Sequence, residues 1–189
     1  RLPCDGDGIV GYVRAGRWDL VLLATGFGSD DLQWGLMGLV GELDDRYQVV
    51  TDDARGHGDS YKPVGTDNYG LGLVDDVAAL MDELGVEKAH IVGHSMGGQI
   101  ALNILLHYPE KAIKGILLCS SGYLKKANLP LMLSSYIPYF HLYVKFHLAK
   151  SGVKQNLKNV VYDHSMINDE MLQGYLSPFL EDDIFKALT

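Results

Sequence analysis

The sequence is poor in most of the features that staple, span or condense a chain. Its 2 cysteines, Cys4 and Cys119, are too few for a disulfide framework, and Cys119 lies in an apolar run that reads as buried. A reducing compartment, and so a cytoplasmic location, is the expectation. No apolar stretch approaches the ~20 residues that a membrane-spanning helix needs. Lys and Arg number 16 against 24 Asp and Glu, for a net charge of −8, and the basic residues form no dense run. Nucleic acid is therefore not an expected partner, because binding it requires a basic face. With 6 prolines, no internal repeat and no low-complexity tract, the chain is neither collagen-like, solenoidal nor disordered. What is present is 189 residues, 47% hydrophobic and 21% charged, enough for one globular domain and short for two.

The chain opens on Arg1, and residues 181–189 read as a helix without a glycine or proline to stop it. A piece of a longer chain is the expectation, so the missing leader says little about location. An alternating segment at residues 9–14 reads as an edge strand. Apolar runs at 20–24, 47–50, 89–92 and 113–119 read as strands, and continuous apolar strands point to a sheet covered on both faces. Helical spacing recurs at 69–84, closed by Gly85, and at 96–108, before Pro109. Residues 30–43 are a weaker helix, since Gly35, Gly38 and Gly41 each cost about 1 kcal/mol relative to Ala. This alternation predicts an α/β fold with a mostly parallel sheet and helices on both faces. After Gly122 the strand runs vanish. Residues 1–122 read as the sheet domain and 123–189 as an α-helical cap or lid subdomain. Its aromatic stripe of Tyr136, Tyr139, Phe140, Tyr143 and Phe146 reads either as core packing or as the lining of an apolar pocket.

Gly93, His94, Ser95, Met96, Gly97 and Gly98 carry the pattern G-x-S-x-G between an apolar strand and an amphipathic helix. A serine on a tight strand-to-helix turn is forced outward at the carboxyl end of the sheet. Side chains at Gly93 or Gly97 would collide across that turn. The helix beginning at Met96 aims amide N–H groups at the place where an oxyanion would sit. Two segments precede it in order: residues 22–28, ending in Thr25, Gly26, Phe27 and Gly28, and residues 53–60, which read D-A-R-G-H-G-D-S. In these three segments the sequence resembles the α/β-hydrolase fold family, with its oxyanion loop, its D-x-R-G-H-G-x-S segment and its nucleophile elbow. The resemblance covers roughly residues 8–122.

The resemblance implies Ser95 as the nucleophile and the backbone N–H groups of Met96 and Phe27 as the oxyanion hole. It implies structural support from Gly26, Asp53, Arg55, His57, Gly93, His94 and Gly97. No metal or organic cofactor is implied, and a small ester or acyl substrate is; it would be largely apolar if the aromatic stripe lines the pocket. Thr25 stands where the family usually has histidine. C–C bond hydrolases, enol-lactonases, thioesterases and acyltransferases share these motifs, and the sequence does not separate them. Haloalkane dehalogenases and epoxide hydrolases fit less well, since they carry Asp in place of Ser95.

A serine nucleophile also needs a histidine and an orienting carboxylate, in the order Ser, acid, His. After Ser95 the candidates are His107, in the following helix, and His141, His147 and His164, in the helical region. Ser120 and Ser121 occupy the place where some relatives carry the acid. Acid and base are therefore expected beyond residue 189, on two further strand–helix units of roughly 70–90 residues. The alternative is a ligand-binding protein on a hydrolase scaffold, or a split half completed by a second chain or by self-association through the open sheet edge. Asp53 and Arg55 read as a pair holding their loop, and His57 as its brace. The adjacent carboxylates at 52–53, 75–76 and 182–183 read as solvated or capping, and His90 and His94, straddling a strand and a turn, as no metal site.

Overall fold

The structure is a computed structural model that describes residues 11–13, 19–26, 32–36, 38–122, 137, 139–147 and 151–181. Five strands, β1 (Gly11–Val13), β2 (Leu20–Ala24), β3 (Gln48–Asp52), β4 (Ala89–His94) and β5 (Ala112–Leu118), form one sheet in the order β1-β3-β2-β4-β5. β1 runs antiparallel to β3, and the other pairs are parallel. Their register brings Asp52, Ala24, Gly93 and Leu117 level with one another at the carboxyl ends of four neighbouring strands.

The side-chain period of two divides the strands between two cores. Leu20, Leu22, Ala24, Val50, Ala89 and Ile91 face one side, where they pack with α3 (Gly72–Glu83) and α4 (Met96–His107). Val74, Val77, Leu80 and Met81 of α3 and Ile100, Ala101 and Ile104 of α4 supply the helical half of that core. Val21, Leu23, Val49 and Val92 face the other side, under Trp34 of α1 (Leu32–Leu36) and Leu39, Val40 and Leu43 of α2 (Leu39–Leu43). The sheet is thus layered between helices, as its continuous apolar strands predict. The weak 30–43 segment resolves into two short helices because Gly38 takes φ +72° between them, a left-handed turn open to glycine at no steric cost. Gly85, at φ +66°, closes α3 in the same way.

Strand β5 departs from the expectation of burial on both faces. Its residues 113–118 are exposed, Ile116 at 47%, and Cys119 after it is exposed rather than buried. β5 ends the strand order, and one of its edges has no partner strand among the described residues.

Beyond Gly122 the described elements are helical: α5 (Phe140–His147), α6 (Val153–Val160) and α7 (Asp169–Glu181). Tyr139, Tyr143 and Phe146 of the aromatic stripe are exposed, Phe146 at 71%. Core packing therefore does not account for these three, while Tyr136 and the side chain of Phe140 lie outside the described residues, as do residues 182–189. No described helix is long and apolar enough to cross a membrane.

Ile91 is fully buried at the centre of the sheet, where truncation leaves a cavity that rigid neighbours cannot fill. Ile91→Ala is expected to lower unfolding free energy by about 2–5 kcal/mol in a chemical denaturation series. A loss below about 1 kcal/mol would contradict this assignment of the core.

Candidate active site

The carboxyl end of β4 runs directly into α4 with Ser95 as the single linking residue. Ser95 has φ 53° and ψ −113°, a conformation that costs a non-glycine residue of order 1–3 kcal/mol. Its amide donates to the carbonyl of Leu118 at 3.0 Å, and its own carbonyl accepts from Gly98 N–H at 3.1 Å. The Ser95 hydroxyl makes no capping bond to the helix it precedes, although serine commonly caps in that position. Among the described residues it also has no histidine or carboxylate partner. The first amides of α4 have no acceptors within the helix, and they carry the positive end of its dipole. Met96 supplies the first of them.

Three glycines make the turn possible, each against a different neighbour. A Cβ on Gly93 would overlap the Gly97 carbonyl, and one on Gly97 would overlap the carbonyls of Ala24 and Thr25 at the end of β2. One on Gly98 would strike Ser120. The expected collisions at Gly93 and Gly97 are therefore observed, and Gly97 shows why α4 starts so close to β2. Gly26, just past β2, lies against the elbow from the opposite side: its Cβ would fall 3.1 Å from His94 Nδ1 and 3.4 Å from Ser95 Cβ. Thr25, in the place of the family's usual histidine, is fully buried and donates its hydroxyl to the Asp52 carbonyl at 3.3 Å. It ties the end of β2 to that of β3. Phe27, the second expected oxyanion donor, lies outside the described residues.

His94 is half-buried, its ring meeting that of Trp34 edge-on at 6.4 Å. Burial lowers its pKa from the ordinary 6.5, because desolvation disfavours the charged imidazolium. β4 extends through His94, so His90 and His94 share one face of a strand rather than straddling a strand and a turn. Four residues of strand separate them by about 13 Å, too far for one metal ion, and His90 instead meets the Tyr47 ring.

The loop after β3 occupies the same end of the sheet. Asp53 and Arg55 do not pair with each other, contrary to expectation. The Asp53 carboxylate accepts from Asp59 N–H at 2.9 Å, and its backbone carbonyl accepts from the Ser60 hydroxyl at 2.6 Å. Arg55 reaches out to α3 and grips Asp76 with two N–H groups, at 2.8 and 2.6 Å, while a third bonds the Asn68 carbonyl. That bond to Asp76 is the largest cause of the raised Arg55 pKa. Asp76 is thus a structural partner and not a solvated or capping carboxylate. Charge favours the outcome: a planar guanidinium is best satisfied by a bidentate carboxylate, and the Asp53 carboxylate is turned toward the loop's own amide. His57 is buried, with Nδ1 3.2 Å from the Arg55 carbonyl.

The later histidines whose side chains are described do not reach the elbow. His107 is exposed in the last turn of α4, 12 residues from Ser95, or about 18 Å along the helix. His147 is exposed and stacks on Tyr143, and His164 bonds the Lys158 carbonyl at 2.8 Å. The side chain of His141 lies outside the described residues. The structure therefore assembles Gly26, Gly93, His94, Ser95, Met96 and Gly97 in one place, with the 53–60 loop beside them.

Residues 20–146 match the family model described as the alpha/beta hydrolase fold. Over 178 residues the chain is 42% identical to the Uncharacterized hydrolase YugF of Bacillus subtilis (strain 168), covering 94% of this chain and 64% of that protein. It is 39% identical over 128 residues to a 2-hydroxy-6-oxo-6-phenylhexa-2,4-dienoate hydrolase of Burkholderia cepacia, covering 68% of this chain and 44% of the relative. Among solved structures, the enol-lactonase from Burkholderia xenovorans LB400 aligns over 95% of this chain and 65% of its own, with a TM-score of 0.70 and 20% identity. At that identity the likeness is one of fold. The chain spans less than two-thirds of the length of each of these relatives.

With its folded-state pKa depressed, His94 favours the native state fully above its unfolded value of about 6.5, and that contribution is lost as pH falls toward the folded value. Wild type is expected to lose more unfolding free energy than His94→Asn between about pH 7.5 and 5.5. Equal losses in the two denaturation series would show that partial burial does not lower the pKa of His94.

Proposed function

The chain belongs to the alpha/beta hydrolase fold family, and on that premise we propose that it acts as a serine hydrolase of carboxylic esters or related acyl compounds. The observation that carries the reading is the strained Ser95, held between two strands and a helix N-terminus with a hydroxyl spared from capping. In this reading the Ser95 oxygen attacks the carbonyl carbon, and its proton passes to a histidine. The carbonyl oxygen becomes an oxyanion between the Met96 and Phe27 amides. The alcohol leaves with that proton, and water then releases the acid from the acyl-serine. Gly26 keeps the oxyanion loop against the elbow, while Gly93 and Gly97 permit the turn. Asp53, Arg55 and His57 hold the neighbouring loop.

The histidine and its carboxylate are assigned to sequence beyond residue 189, and the greater length of the relatives supports this. Residues 123–189 are assigned as a helical cap, in which the exposed Tyr139, Tyr143 and Phe146 favour a largely apolar substrate. A 2-hydroxy-6-oxodienoate is the second candidate substrate, favoured by the Burkholderia cepacia relative. Should Ser95 prove inert, the alternative is a ligand-binding protein or a split half, whose β5 edge would take a complementing strand or a second copy.

The test is intact mass before and after a fluorophosphonate, together with hydrolysis of short-chain p-nitrophenyl esters. One adduct is expected on the natural-length protein, absent in Ser95→Ala, whose hydrolysis should fall at least about 10³-fold. No adduct on the wild type, or an adduct that survives Ser95→Ala, would refute the nucleophile and favour the binding reading.

A further inference from the structure

Ser95 stays in its strained conformation only if its surroundings over-determine it, and the elbow's own bonds are few. We propose that Ser121 is a positioning residue that aims the Met96 amide by holding the carbonyl of Ser95; the assignment rests on the serine-hydrolase reading. The chain leaves β5 at Leu118, turns through Cys119 at φ 46° and comes back over the elbow. There Ser121 gives two hydrogen bonds to the Ser95 carbonyl, from its hydroxyl at 3.0 Å and from its amide at 3.2 Å. Gln99, in the first turn of α4, donates its side-chain amide to the Ser121 carbonyl at 2.5 Å. Ser121 is therefore gripped from the helix that it helps to orient. Ser120 fills the space left by the missing side chain of Gly98, so the last glycine of the elbow is where this loop fits.

The reason that a carbonyl contact bears on catalysis is the planarity of the peptide bond. The Ser95 C=O and the Met96 N–H belong to one peptide unit, which is trans, and they point in opposite directions in a shared plane. Fixing the oxygen fixes the line of the N–H. A donor for a developing oxyanion works only when it is aimed before the reaction begins. Ser121 touches neither the substrate nor the reacting atoms; its effect passes through that plane. Removal of its hydroxyl leaves the Ser95 carbonyl with backbone donors alone and frees the plane to rock. The substrate's ground-state contacts are unaffected.

The experiment compares Ser121→Ala and Ser121→Thr with wild type in the natural-length protein. Readouts are kcat and KM for a short-chain p-nitrophenyl ester and the rate of fluorophosphonate labelling. Ser121→Ala is expected to lower kcat and labelling about 5–20-fold, a fraction of the 10²–10³ lost with a whole oxyanion donor. KM should stay within about 2-fold, and Ser121→Thr, which keeps the hydroxyl, should recover at least half the loss. A kcat within about 2-fold of wild type, a KM that rises in step, or a loss that Thr does not repair would overturn the assignment. If Ser121→Ala does not fold, the same criteria are applied to Gln99→Ala, which removes the grip on Ser121 from the other side. A wild type that takes no adduct overturns the hydrolase reading and this assignment together. Equal labelling of wild type and Ser121→Ala overturns the assignment alone.

Discussion

The close approach of α4 to the end of β2 governs the carboxyl side of the sheet. Gly97 sits where any Cβ would overlap the carbonyls of Ala24 and Thr25, so the helix can begin one residue after β4 ends. That nearness leaves Ser95 no relaxed conformation and forces it to φ 53°. It also brings Gly26 so near that a Cβ there would lie 3.4 Å from Ser95 Cβ. A larger residue at 97 would push the helix away and relieve the serine, and the elbow, the loop from β2 and the helix N-terminus would no longer converge.

Two loops hold this convergence from the sides. The 53–60 loop closes on itself through Asp53, Asp59 and Ser60, and is moored to α3 by Arg55 and Asp76. Because α3 packs on the same core as α4, that ion pair links the loop to the layer that carries the elbow. The loop after β5 reaches the elbow directly through the Ser95 carbonyl. The cost of a strained residue is thus borne by hydrogen bonds from parts of the chain far away in sequence, as is general for strained functional positions.

The legible features are those whose cause is local. The strands at 20–24 and 89–92 and the helix at 96–108 follow from apolar periodicity, and the elbow from glycines spaced around a serine; that β4 runs on through His94 does not. The break near Gly38 was visible as a weakness of the helix, though not as a left-handed turn. The partner of Arg55 was not legible, because Asp76 is 21 residues away and nearby Asp53 offered an equal charge. Exposure of Cys119 and of β5 was illegible too: an apolar run looks the same at the edge of a sheet as at its centre.

By itself the sequence determined where most strands and helices of residues 1–122 lie, that the sheet is mostly parallel and layered, and that Ser95 stands on a tight turn. Those properties depend on side-chain size, period and glycine placement within a few residues, so the order of residues is enough to set them. Only the tertiary structure decided what the turn touches. Strand order placed Gly26 and Thr25 beside the elbow and left β5 at the edge among the described residues. Packing of α3 gave Arg55 its carboxylate, and the return of the chain after β5 set Ser121 on the Ser95 carbonyl. Each of these is a contact between segments far apart in sequence, chosen by strand pairing and burial, and nothing in either segment alone names the other.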